Sequence, residues 1–435
     1  MTYDLLLAGG EVIDVGGGHV GRYDVAVRGG RIAAVAPDLP RDAAREVVDA
    51  GGRLVTPGLV DMHTHVHPEA TYWGIDPDPV AWYSGVTTWV DAGSAGAYTI
   101  DSLRAAAREA RVRVKALLNI SAVGLTAPHG ECRDLDLCDV DLATATVAAN
   151  RDLIAGVKVR MDGKTIGTHG LEPLRRAQEV ADAAGVPVMV HIGVPPPTVG
   201  EVLGLLQPGD IVTHCASGLA AGMLDGGDLA PAVVRAHADG VRFDIGHGSG
   251  GFAFDVLEAQ LKAGVLPYTI SSDLHARCLF GPVFDLPTTM TKLLAVGLPL
   301  EYVVAAATVH PARALSLPGG VGTLAVGAPA DIAVFRLAEG PFELADAHQQ
   351  HRTAERRLVN EVTYVAGRPL PPRLPAAPKP WIPLTGAQRD ELARRDREIR
   401  DLLTTPLVGP DGLAEQFPRV SSSVPSSVPS FEGDC

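Results

Sequence analysis

The chain has 435 residues, 46% of them apolar and 20% charged, with a formal net charge of −14. That length and apolar content exceed one minimal domain and fit a barrel-sized domain with a smaller companion. The negative charge repels polyanions and anionic surfaces, so neither nucleic acid nor a membrane is an expected partner, and a small-molecule substrate is favoured.

At the N-terminus, Met1-Thr2-Tyr3-Asp4-Leu5 carries an acid where a signal peptide needs positive charge. No apolar run approaches the length of a membrane span. The five cysteines, Cys132, Cys138, Cys215, Cys278 and Cys435, are scattered and form no Cys-x-x-Cys. They read as reduced thiols and predict a cytoplasmic protein.

Up to about Arg53 the sequence has hairpin grammar: Asp4-Leu5-Leu6-Leu7, Asp24-Val25-Ala26-Val27 and Arg31-Ile32-Ala33-Ala34-Val35, broken by paired glycines. From Pro57 apolar strands alternate with helical patterns, the signature of a parallel sheet. Strands are predicted over 59–65, 87–91, 114–119, 156–160, 187–191, 210–214, 242–245 and 268–273, and helices over 101–110, 171–184 and 254–263. Eight such strands close a (β/α)₈ barrel. Segments 330–335 and 361–365 return to short strands and are predicted to pair with the N-terminal ones. The expected fold is α/β, a (β/α)₈ TIM barrel over 56–324 with a small β-sandwich domain built from both chain ends, 1–55 and 325–370. Residues 371–435 are expected to hold a Pro-rich linker, an amphipathic helix over 387–403 and a disordered Ser/Pro-rich tail.

Barrel enzymes keep their chemistry at the carboxyl ends of the strands. The first predicted strand ends in His63-Thr64-His65. Side chains at i and i+2 of a strand share a face, so the two imidazoles can grip one metal ion, although two ordinary strand-end histidines explain the pair equally well. Lys158 lies in the otherwise apolar fourth strand, on the same face as Arg160. A lysine pointing into a barrel is costly unless paired or modified. Burial depresses its pKa from about 10.4, leaving a neutral amine that can add carbon dioxide and become a carbamate. Strands five, six and eight end in His191, His214 and Asp273. Five strands ending in metal-competent residues at one end of a barrel outweigh five separate accidents.

This set, with the flanking segments Val55-Thr56-Pro57-Gly58-Leu59-Val60-Asp61 and Val326-Gly327-Ala328-Pro329-Ala330-Asp331, resembles the amidohydrolase superfamily. The binuclear arrangement is that of dihydroorotases and hydantoinases. The segments Gly85-Val86-Thr87-Thr88, Gly246-His247-Gly248-Ser249-Gly250 and Ser271-Ser272-Asp273-Leu274-His275 are similar to the amidohydrolase/deacetylase subgroup. The resemblance spans about residues 3–369. It implies two divalent metal ions, Zn²⁺ foremost, one held by His63, His65 and Asp273 and the other by His191 and His214, with carboxylated Lys158 bridging them beside a hydroxide.

The implied activity is metal-dependent hydrolysis of an amide or ester, N-acyl or O-acyl and deacetylase-like, in a small carboxylate-bearing metabolite. The bridging hydroxide attacks, and Asp273 takes its proton and passes it to the leaving group. A cyclic amidase of the dihydroorotase or hydantoinase kind is the alternative. A non-catalytic barrel scaffold is another, although all six ligand positions are filled. A homo-oligomer is compatible with either. Arg160 has two open readings, a clamp on a substrate carboxylate or a partner in an internal ion pair. His247, Ser249 and Gly250 either contact substrate or form a tight turn. Asn119 and His275 are weaker candidates, and His67, His129 and His169 are expected on the surface or behind the ligands.

Overall fold

The apolar run through Leu54–Thr64 is divided between two sheets. In the computed structural model, which describes residues 2–404 except Ala220, Ala221, Leu374 and Ala377, the strand Leu54–Pro57 pairs antiparallel with Ile332–Ala345 and parallel with Tyr3–Asp14. The strand Leu59–Thr64 instead opens the barrel. Gly58 makes the crossing: its N–H donates to the Asp331 carbonyl (2.7 Å), and a Cβ there would overlap the side chain of Thr87.

Seven parallel strands follow one another around the barrel: Leu59–Thr64, Val86–Ala92, Arg113–Asn119, Ile154–Met161, Val188–Ile192, Ile211–Thr213 and Arg242–Asp244. Helices including Ile100–Glu109, Glu172–Ala184 and Phe254–Lys262 lie between strands, close to their predicted bounds. The first two strands are buried throughout and show no alternation of buried and exposed residues, their polar members Asp61, Thr87 and Asp91 included.

The predicted eighth strand is reduced to bridges, Asp244 with Thr269 on one side and Thr64 with Leu274 on the other, which complete the ring. Its side chains explain the break. Ser271 donates to the Asp244 carboxylate (2.7 Å), Ser272 bonds Asp61 through both its hydroxyl (2.5 Å) and its N–H (3.0 Å), and Asp273 adopts a left-handed backbone (φ 48°).

A second, eight-stranded mixed sheet draws its strands from residues 3–57 and 332–369. Tyr3–Asp14 pairs with His19–Arg28 and Ala44–Asp49, and Ile332–Ala345 forms a hairpin with His351–Val365. Leu5, Leu7, Val25 and Val27 pack with Ile332 and Val334, whereas Leu6, Ala8 and Ala26 pack with Ala44 in a second cluster, the period-two alternation of a strand. The hairpin runs well beyond the predicted 330–335 and 361–365 because its outer half is polar and partly exposed.

Within the Pro-rich linker predicted from 371, Ile382 is buried and the Arg373 carbonyl accepts from Trp82 Nε1–H (2.7 Å). The predicted helix is present as Gly386–Thr404. Residues up to Glu391 form one unit, and the tail expected to be disordered lies outside the described residues. No helix among the described residues is long and apolar enough to cross a membrane.

Gly58→Ala forces a methyl group against Thr87 in a packed strand junction. It is expected to cost about 1–3 kcal/mol of stability, read as a lower midpoint in urea unfolding, whereas an unchanged midpoint would show that the junction has slack.

Candidate metal centre

Each histidine at the barrel mouth has one nitrogen engaged, which leaves the other as its lone pair. The His214 Nδ1–H donates to the Gly246 carbonyl (2.5 Å), so Nε2 is free. Thr213 donates its hydroxyl proton to Asp244 (2.7 Å) and accepts from His63 Nδ1 (2.8 Å), so the Asp244 carboxylate orients His63 through one hydroxyl. His65 Nδ1 pairs with the Ser94 hydroxyl at 2.9 Å. His191 is reversed: its Nε2 faces the Asp162 carboxylate at 3.4 Å, leaving Nδ1. Such outer partners are what orient imidazoles around a metal.

The free atoms converge. Donor atoms of His63, His214 and Asp273 all lie within 4.8 Å of one another. Asp273 Oδ1 sits 3.3 Å from His63 Nε2 and 3.1 Å from His65 Nε2, and the His191 and His214 rings are 4.5 Å apart. His214 Nε2 and Asp273 Oδ1 are buried with no hydrogen-bond partner. Burial lowers the pKa of His63, His191 and His214, the last to about 3, so these imidazoles are neutral donors at physiological pH. Burial works against the charge on Asp273, but His63 and His65 hold its carboxyl well below the usual range. Neutral nitrogens and an anionic oxygen facing one another need a cation between them, and this donor set suits a divalent metal.

Backbone strain accompanies these positions. His214 (φ 63°) and Asp273 (φ 48°) are both left-handed, a conformation that costs free energy in residues with a side chain. Gly248 is left-handed as well (φ 52°), and a Cβ there would overlap an Asp273 carboxylate oxygen, so only glycine lets this loop pass.

Lys158 is fully buried, and burial lowers its ammonium to about 7. Its Nζ lies 3.1 Å from His63 Nε2 and 3.3 Å from Met189 Sδ. The cavity above these residues measures about 180 Å³ and is walled by Trp73, Arg160, Ile192, Ser249, Gly250 and His275 among others. Arg160 takes the ion-pair arrangement: Nε and Nη2 bind the buried Glu131 carboxylate at 2.5 and 2.7 Å, and the guanidinium lies 5.7 Å from the Trp73 ring centre. Its Nη1 edge has no partner among the described residues.

His247 does not line this cavity. It stacks on Phe252 and accepts at Nε2 from Lys292 (2.8 Å), a buried lysine that also donates to the Pro282 carbonyl (2.7 Å). Asn119 is occupied by backbone bonds to Gly93 and Ser121. His129 and His275 both line the cavity, His275 stacked on Trp73. His67 is buried against Ser102, and His169 bonds the Arg133 carbonyl. Glu131 and Trp73 escape a sequence reading because they lie on loops away from the strand ends, and only the fold brings Trp73 to the cavity and Glu131 to Arg160.

The sequence profile of the amidohydrolase family matches residues 54–207 and 231–368. A deacetylase of Agrobacterium fabrum is 40% identical over 330 residues, 75% of this chain and 81% of that protein. Among solved structures, one named an adenine deaminase superposes with a TM-score of 0.80 at 33% identity, covering 84% of this chain and 99% of its own. Another, named a dihydroorotase, gives 0.78 at 35% identity, covering 86% and 98%.

Thr213→Val removes the hydroxyl between Asp244 and His63 without changing the side chain's shape. Zinc affinity of the metal-stripped protein, measured by chelator competition, is expected to fall about 10–100-fold, with Thr213→Ser near wild type. Equal affinity in the valine variant would show that His63 needs no such anchor.

Proposed function

Because the chain belongs to the amidohydrolase family, we propose that it is a metal-dependent deacetylase-type hydrolase acting on N-acyl or O-acyl derivatives of a small, carboxylate-bearing metabolite. The observation that carries this reading is the convergence of four imidazoles, Asp273 and buried Lys158 on one cavity edged by a guanidinium. The family is metal-dependent. His63 Nε2, His65 Nε2 and Asp273 would hold one divalent ion, and His191 Nδ1 and His214 Nε2 a second, with Zn²⁺ the best match to these donors. Lys158, partly neutral near pH 7, would serve between them as its carbamate. When bound, the ions lower the pKa of a water towards about 7 and polarise the scissile carbonyl.

The protein's own groups do the rest. Asp273, held ionised at the cavity floor, accepts a proton from the attacking water and returns it to the leaving nitrogen or oxygen. The free Nη1 edge of Arg160 binds the substrate carboxylate while Glu131 fixes the guanidinium plane, so both readings of Arg160 apply at once. The stacked Trp73 and His275 rings give an apolar wall. A cavity of about 180 Å³ admits a small metabolite. The acyclic acyl substrate is favoured by the A. fabrum deacetylase, and the solved dihydroorotase supports ring opening as a second reading. The unpaired buried thiols Cys132, Cys138, Cys215 and Cys278 support a cytoplasmic setting.

The deciding assay offers zinc-loaded protein N-acetyl amino acids, O-acetyl hydroxy acids, dihydroorotate and hydantoins. Acetate release is expected, and ring opening alone would overturn the preference. Lys158→Ala is expected to lose metal and turnover and to recover part of both with added short carboxylic acids. Full activity without rescue would make Lys158 structural. Since the amine is freed as pH rises through about 7, bicarbonate-dependent reactivation of stripped protein should speed up above that pH. Asp273→Asn should fold and lose about 10²–10⁴-fold in turnover, and an unchanged rate would remove the proposed proton carrier.

A further inference from the structure

Two cavity walls stand on irregular chain. Trp73 lies between the strand Leu59–Thr64 and the helix Asp78–Ser84, and His275 and Arg277 lie between the barrel's closing segment and the helix Leu286–Ala295. The walls meet: the Trp73 and His275 rings stack at 5.2 Å and 23°, and the Ala276 N–H donates to the Trp73 carbonyl (2.9 Å). Neither loop carries regular backbone pairing of its own, so its position depends on outside restraints.

Part of that restraint comes from within the barrel, where the Tyr72 N–H donates to the Leu125 carbonyl (3.2 Å) and the Ile75 N–H to the His65 carbonyl (3.0 Å), and part from residues beyond 368, where the family match ends. Trp381 Nε1–H donates to the Tyr72 carbonyl (3.1 Å), and the Tyr72 hydroxyl donates back to the Trp381 carbonyl (3.3 Å), next to Trp73. Gln388 spreads its amide N–H groups over the carbonyls of Arg277 and Gly281, both at 2.8 Å, fastening the second loop. Upstream, Trp82 Nε1–H donates to the Arg373 carbonyl (2.7 Å), and Arg373 pairs with Asp76 at 3.4 Å. Between these anchor points the segment borders a cavity of about 460 Å³, so it grips at discrete places and is not packed along its whole length.

We propose that the described residues between Arg373 and Gln388 form a positioning strap whose Trp381 and Gln388 hold Trp73 and Arg277 in place and thereby set how tightly the cavity binds its substrate. Neither residue touches the cavity, so both act through the loops they fasten. The strap is independent of which bond is hydrolysed.

The test uses the full-length protein with Trp381→Ala and with Gln388→Glu, whose carboxylate keeps the size of the amide but cannot donate. Hydrogen–deuterium exchange is expected to quicken several-fold over 66–76 in the first variant and over 275–281 in the second, with the strand Ile154–Met161 unchanged. With an N-acetyl amino acid that the wild type hydrolyses, KM should rise several-fold while kcat stays near wild type. Gln388→Asn, which can still donate, should recover part of the protection. Loop exchange at wild-type rates in both variants, or exchange that rises equally in the barrel strands, overturns the strap. If no acyl compound is turned over, the functional reading fails, and the exchange measurements still decide this proposal.

Discussion

The rest of the site depends on the enforced closeness of metal-competent atoms at the barrel mouth. Asp273 Oδ1 faces His63 Nε2 and His65 Nε2 at 3.3 and 3.1 Å, with His214 Nε2 close by and unpartnered. In water these groups would separate and hydrate. In the barrel they cannot, because each ring is fixed from behind by a hydroxyl, a carbonyl or a carboxylate. The fold therefore holds these donor atoms close together and already oriented at the edge of the cavity, and that is how a protein prepares a site for a cation.

Keeping these atoms close shapes the fold around them. The barrel gives up a regular eighth strand so that Ser271 and Ser272 can reach Asp244 and Asp61, and the next residue, Asp273, turns left-handed into the site. The loop after the seventh strand can cross over Asp273 only at a glycine. Behind that loop Lys292 donates to His247, which the sequence leaves open between a substrate contact and part of a tight turn, while Ser249 and Gly250 line the cavity.

What was legible in the sequence follows from local rules. Strand alternation put His63 beside His65 and Lys158 beside Arg160, and strand counting put His191, His214 and Asp273 at the same end. These inferences need only the period of a strand and the closure of a barrel. Glu131 as the mate of Arg160, Trp73 as the aromatic wall and the Trp381–Tyr72 contact were not legible, because each joins segments without periodicity that are far apart in sequence. Proline-rich composition indicates a linker over 371–383. It carries no information on whether that linker runs through solvent or along a surface, which here is decided by one buried isoleucine and a few donor groups.

Asp61 shows what this arrangement costs. It is wholly buried, and burial raises its carboxyl from 3.8 to about 7 despite the two bonds from Ser272. An acid that binds its proton more tightly when folded adds stability below its ordinary pKa and loses that contribution as pH rises through the folded value, so from about 4 to about 7 the group weakens the fold. An apolar residue there would spare the barrel this penalty. It could not accept from both the N–H and the hydroxyl of Ser272, which fix the backbone one residue before Asp273. The sequence thus keeps a charge-prone group beneath the site for the position it imposes on the residue above, and stability is given up where the chemistry needs geometry.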